Sequence, residues 1–151
     1  MAGRGARRPV LFAYDGSELA AHAIDEAARL LDTALPALVA TIWQPFDLGF
    51  TPVQPGQFDA ADIGSVRDAA EQTARAGADR ARAGGFEAEA IAVEAAPTWK
   101  GLADLAEQRD ASAIVLGSHG RTGLASILLG SVAASTAAHS RRSVLIIHRD
   151  S

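Results

Sequence analysis

The chain has 151 residues, of which 48% are apolar and 21% charged, with a formal net charge of −4 and no cysteine. That length suits one domain burying roughly 70% of the surface its unfolded form would expose, and the composition is that of a globular rather than a disordered chain. The missing cysteines exclude a disulfide framework, a thiol nucleophile and a thiolate metal site and permit a cytoplasmic location, while the negative balance argues against nucleic acid as a partner.

Residues 1–8 carry three arginines and read as a flexible basic arm. The apolar stretch that follows is too short for a signal peptide or a membrane span, so no membrane partner is expected and residues 9–151 form the domain. Val10 to Tyr14 reads as the first strand. Ser17 is then the N-cap of a helix with Glu18 in its first turn and Leu19, Ala23, Ile24, Ala27, Leu30 and Leu31 on one stripe. Ala37 to Trp43 is a second strand. Gln44 to Gly64, with three prolines and three phenylalanines, reads as a long loop that either covers a ligand or tucks back onto the core. Ser65 and Asp68 resemble a capping box opening a helix that stops at Gly84 and Gly85. Ala90 to Val93 is the third strand, and Thr98 is the expected cap of a helix carrying Leu102, Leu105 and Ala106. Ala113 to Leu116 is the fourth strand, a helix begins near Gly130 and Ser131 and ends before Arg141 and Arg142, and Val144 to Ile147 closes the chain as a fifth strand.

Strands that alternate with helices pair in parallel through right-handed crossovers. The expected fold is therefore α/β: a single open, doubly wound, parallel five-stranded sheet with helices on both faces, Rossmann-like. Ligands of such sheets bind beyond the carboxyl ends of the strands where strand order reverses, which points to the residues after strands one and four.

Strand four runs into Gly117-Ser118-His119-Gly120-Arg121, and Gly130-Ser131 opens the last helix, a G-x2-G-x9-G-S frame. Gly117 and Gly120 would let backbone N–H groups approach phosphate oxygens, with a helix N-terminus and a hydroxyl at Gly130 and Ser131 against the same anion. The alternative is a glycine-rich connection in which each glycine only supplies a positive φ. Asp15, directly after strand one, would lie across the crevice as an acceptor for a ribose diol. Alternatively Asp15 and Ser17 only satisfy the first N–H groups of the helix.

Tyr14-Asp15-Gly16-Ser17, the Gly117/Gly120/Gly130-Ser131 frame and the closing Ser143-Val144-Leu145-Ile146-Ile147 strand together resemble the universal stress protein family, from Pro9 to His148. The glycine frame is that of its ATP-binding branch. The resemblance implies an adenine nucleotide α-hydrolase-like fold in which Asp15 holds the ribose or adenine, with Tyr14 beside it and the Ile42 backbone on the adenine. It implies that Gly117, Gly120, Gly130 and Ser131 hold the phosphates, with Ser118, Arg121 and Val132 lining the same pocket. ATP is the implied ligand, with ADP, AMP or cAMP as alternatives and Mg2+ or Mn2+ carried on the phosphates. It further implies a homodimer through the last strand, residues 143–148, which would otherwise be an exposed apolar edge. Arg141-Arg142-Ser143 stands where many members have a Cys-Pro pair, a departure that concerns the local turn.

The resemblance implies a cytoplasmic stress-response regulator that binds ATP with little or no hydrolysis, not an enzyme. The sequence has no G-x4-G-K-(S/T) loop, and its single lysine is Lys100. A nucleophile elbow and a His-x3-His pair are likewise missing, against hydrolytic and zinc chemistry. His119 is either a phosphate contact or a solvent-facing loop residue. A protein-interaction module with a vestigial pocket is the reading from a different class.

Overall fold

A computed structural model describes residues 7–45, 60–119 and 129–149. Nine elements follow in chain order: β1 (Val10–Ala13), α1 (Glu18–Leu30), β2 (Pro36–Trp43), α2 (Ala60–Ala83), β3 (Glu87–Glu94), α3 (Thr98–Gln108), β4 (Ala113–Gly117), α4 (Ser131–His139) and β5 (Ser143–Ile147). All strand pairs are parallel, in the order β3-β2-β1-β4-β5. The expected doubly wound five-stranded sheet is the fold found. Strand order reverses between β1 and β4, so the crevice lies beyond Ala13 and Gly117.

Alternation of side chains across the strands builds two cores. On one face Phe12, Val39 and Val115 meet Ile24 and Ala27 of α1 and Ala78 and Ala81 of α2. On the other, Leu11, Leu38, Ile114 and Leu116 meet Leu105 and Ala106 of α3 and Ala133 of α4. The central strands are apolar on both faces because both are covered, and Leu11, Phe12, Ile114 and Val115 are fully buried. β3 is longer than its apolar run because it is an edge: Glu87, Glu89 and Glu94 are exposed, and an edge strand tolerates charge where a central one does not.

Ser17 caps α1 as expected, its Oγ accepting from the Ala20 N–H at 3.1 Å. Two other helix starts differ from expectation. Ser65 does not open α2. The helix begins five residues earlier, at Ala60, because the Ala-rich lead-in is itself helix-forming, and one interior glycine at Gly64 costs only about 1 kcal/mol. The buried stripe Val66, Ala70, Ala74, Ala78 and Ala81 holds the helix to the sheet. The α2 terminus lies where expected: Gly84 N–H donates back to Arg80 and Ala81 carbonyls, and Gly85 takes φ +108°. In α3 the cap is Pro97, whose carbonyl accepts from Lys100 and Gly101 N–H groups, so Thr98 becomes the first helical residue.

Of the basic arm, residues 1–6 and the terminal residues 150–151 lie outside the described residues, as does most of the Pro- and Phe-containing loop at 46–59. Arg7 pairs with Asp32 at 3.4 Å, and Arg8 pairs with Asp110 at 3.2 Å and donates to the Asp110 and Ala111 carbonyls. Arg142, at the turn where a Cys-Pro pair was the family expectation, forks onto Glu107 at 2.9 and 3.0 Å and onto Asp110 at 2.8 Å. These bonds hold both carboxyls below the usual carboxylate range and raise the guanidinium further. The turn into β5 is thereby tied to the end of α3 by ion pairs.

Candidate functional site

Beyond the carboxyl ends of β2, β1 and β4 lies a cavity of about 500 Å³, within the range of small-molecule sites. Its floor is apolar because Ala13, Ala40, Ile42 and Leu116 point to the face covered by α3 and α4; Leu102 of α3 and Ala133 of α4 continue the wall. Its rim is polar, made by Asp15, Thr98, Ser118, His119, Gly130 and Ser131. Residues after β1 and β4 therefore meet at one cavity, as the reversal of strand order requires.

Asp15 lines this cavity, and its Oδ1 accepts from the Ser17 N–H at 2.9 Å. The carboxylate thus satisfies an N–H at the helix start and also stands at the crevice. Gly16 between them has φ +84°, which a residue with a Cβ adopts only at a cost. Tyr14 also lines the cavity, but its ring is seated against α2: a Cβ on Gly77 would lie 2.6 Å from Tyr14 Cδ1. Ile42 is brought to the cavity with its side chain against α3, 3.2 Å from where a Gly101 Cβ would stand.

Ser118 is held from three sides. It is 2% exposed; its N–H donates to the Ile147 carbonyl at 2.9 Å, its carbonyl accepts from the Gly130 N–H at 2.6 Å, and its hydroxyl lies 3.0 Å from His119 Nδ1. The end of β5, the start of α4 and the residue after β4 are fixed to one another through this one serine. Gly130 is the N-cap of α4 and gives it no side-chain hydrogen bond, so the first N–H groups of the helix, beginning at Ser131 and Val132, lack a side-chain cap. Ser131 and Val132 both line the cavity.

Gly117 also has a packing role that its spacing in the sequence did not convey. A Cβ there would lie 2.8 Å from Leu19 Cγ of α1, so close packing of helix on loop requires the glycine before any ligand is considered. At Gly130 a Cβ would come within 3.0 Å of the Ser118 carbonyl oxygen. Gly120 and Arg121 lie outside the described residues.

Several cavity residues were not singled out from sequence. Leu102 was read only as a helix-stripe residue and Thr98 only as a cap, yet both line the cavity. The usable signal was topological: the crossover from β3 lays α3 over the face of β2 and β1 that Ala13 and Ala40 occupy. His119 also faces the cavity, not solvent alone.

The arrangement suits a ligand with a flat apolar body and an anionic tail. A helix N-terminus supplies backbone donors and the positive end of the helix dipole to the tail, while the apolar floor takes the body. On the outer surface of α2, the Arg80 guanidinium is raised, chiefly by its hydrogen bond to Asp25. Among the described residues no group of three His, Cys, Asp or Glu could hold a metal ion, and no helix is long and apolar enough to cross a membrane.

The sequence model of the universal stress protein family matches residues 6–148. Among solved structures, a universal stress protein in complex with cAMP is 29% identical, with a TM-score of 0.68 over 97% of this chain and 100% of that one. A universal stress protein from Archaeoglobus fulgidus in complex with dAMP is 24% identical, TM-score 0.65, over 95% and 99%. The hypothetical protein MJ0577 shares the fold at a TM-score of 0.78 and 22% identity, over 97% and 99%. No curated protein matches the sequence significantly.

Proposed function

The chain belongs to the universal stress protein family, and on that premise we propose that it is an ATP-binding regulatory protein with little or no hydrolysis of its own. The observation that carries the reading is the cavity at the β1/β4 reversal, where Asp15 on one side faces Ser118 and the α4 start at Gly130 on the other. In this reading the adenine lies on the apolar floor near Ile42, and Asp15 accepts from the ribose. The phosphates rest on the N-terminus of α4, where Ser131 and Val132 supply backbone N–H groups and Ser131 adds a hydroxyl. A Cβ at Gly117 would press on Leu19 and one at Gly130 on the Ser118 carbonyl, so the two glycines let the turns of the cradle pack closely, and Gly120 and Arg121 complete the frame on the strength of the motif alone. A divalent ion, Mg2+ or Mn2+, would be carried on the phosphates.

Little hydrolysis is expected because the lysine that steadies β- and γ-phosphates in phosphoryl-transfer sites has no counterpart. The single lysine, Lys100, pairs with Asp104 at 2.7 Å and does not line the cavity. The proposal includes a homodimer through residues 143–148, supported by the position of β5 at a sheet edge. It also includes a cytoplasmic location, which a cysteine-free chain permits.

Isothermal titration with ATP, ADP, AMP and cAMP, with and without Mg2+, tests the reading. Binding that strengthens with phosphate number is the expected result; no binding by any of the four would refute it. A second reading, cAMP as the ligand, is favoured by the complex of the 29% identical relative. It predicts cAMP as the tightest of the four.

A further inference from the structure

Thr41 lies on β2, 7% exposed, on the sheet face opposite the cavity, between Ala40 and Ile42, which line the cavity. It is nevertheless tied to the site. Its hydroxyl donates to the Tyr14 carbonyl at 2.8 Å, and the Tyr14 N–H donates to the Ala40 carbonyl at 2.9 Å. β1 ends at Ala13, so β2 holds both backbone polar groups of the residue after the strand, one of them through a side chain where the backbone ladder has stopped. A peptide unit is planar and trans. Holding the Tyr14 carbonyl therefore fixes the plane that also contains the Asp15 nitrogen and Cα.

Downstream, the chain turns at Gly16 with φ +84°, Asp15 Oδ1 accepts from the Ser17 N–H, and Ser17 is locked onto α1 by the Ala20 N–H. Asp15 is thus suspended between an anchor on β2 and an anchor on α1. We propose that Thr41 is a positioning residue for Asp15, so that recognition of the sugar hydroxyls in the cavity depends on a hydroxyl on the far side of the sheet. The proposal rests on the nucleotide reading above. Thr41 touches no ligand; it acts by keeping the Asp15 carboxylate at the rim.

Two substitutions separate the hydroxyl from the shape. Thr41→Val keeps the β-branch and removes the donor; Thr41→Ser keeps the donor and removes the methyl. Isothermal titration with ATP and with 2′,3′-dideoxy-ATP gives the discrimination ratio for each protein. The expected result is that Thr41→Val weakens ATP binding about 3- to 10-fold, the worth of one hydrogen bond. Dideoxy-ATP binding stays near its original value, so the ratio collapses. Thr41→Ser keeps the ratio, and in an Asp15→Ala background Thr41→Val changes it no further. Equal weakening of both nucleotides, an unchanged ratio in Thr41→Val, or a further fall in the Asp15→Ala background would overturn the proposal. If circular dichroism shows Thr41→Val unfolded, Thr41→Ser decides: a ratio kept supports the assignment and a ratio lost overturns it. Failure of the unsubstituted protein to bind ATP is a distinct outcome, which overturns the nucleotide reading and this proposal with it.

Discussion

Substituting Gly117 by alanine sets one added methyl against the packing of α1. The new Cβ would stand 2.8 Å from Leu19 Cγ and 3.4 Å from the His119 carbonyl oxygen. Ordinary carbon–carbon contact is about 3.5–4.0 Å, so the methyl intrudes by roughly 0.7 Å or more. The atom it meets is a branch carbon, not the far end of a flexible chain, and Leu19 is only 9% exposed. Relief therefore requires α1 or the residue after β4 to shift, at about 1–3 kcal/mol. In a chain of this length each kcal/mol lowers the melting temperature by about 2–4 °C. The assay is a double-mutant cycle in urea with Gly117→Ala, Leu19→Ala and the pair. Leu19→Ala alone costs about 2 kcal/mol or more through its cavity. Because the added methyl would occupy part of the space vacated, the pair should be less destabilised than the sum of the singles by about 1–2 kcal/mol. Additive effects would refute the assignment of Gly117 to helix packing.

Gly77→Ala should destabilise by at least as much, about 1–3 kcal/mol, since its Cβ would meet Tyr14 Cδ1 at 2.6 Å and Val39 Cγ1 at 2.7 Å; chemical denaturation reads it. Ser17→Ala removes the α1 cap and should cost about 1 kcal/mol in the same assay. The carboxyls of Glu107 and Asp110 are lowered, chiefly by hydrogen bonds from Arg142. Their contribution is therefore present above the unfolded pKa values near ~4 and lost as pH falls through the lower folded values. A melting series from pH 6 to pH 2.5 should fall more steeply below about pH 4 for the unsubstituted protein than for Arg142→Gln; parallel curves would contradict it. Sedimentation should give a dimer, and a charge on the closing strand, Ile146→Lys, should favour the monomer.

The parts of this fold that sequence conveyed are those where one physical cause acts alone. The central strands β1, β2 and β4 were visible as apolar runs because both sheet faces are covered there, and the α1 start was visible because Ser17 does what its side chain suggests. α2 was misjudged at its start because an alanine-rich lead-in carries no stripe strong enough to announce a helix, while Ser65 offered a cap the chain does not use. The cap of α3 fell to Pro97, since the carbonyl that closes the first turn matters more than a nearby hydroxyl. At the site, Asp15, Ser118, Gly130 and Ser131 come together as the strand reversal predicts. What spacing cannot convey is contact across layers: Leu19 against Gly117, the Tyr14 ring on Gly77, and Thr41 reaching the Tyr14 carbonyl are all separated in sequence and joined only by the twist and register of the sheet.

An adenine nucleotide held by this protein should occupy the cavity between the ends of β1 and β4. The most direct measurement is the change in amide NMR shifts of 15N-labelled protein on adding ATP. The largest changes are expected at residues 14–17, 117–119 and 130–133, with little change along the outer faces of α1 and α2. Shifts confined to other surfaces, or none at millimolar ATP, would contradict it.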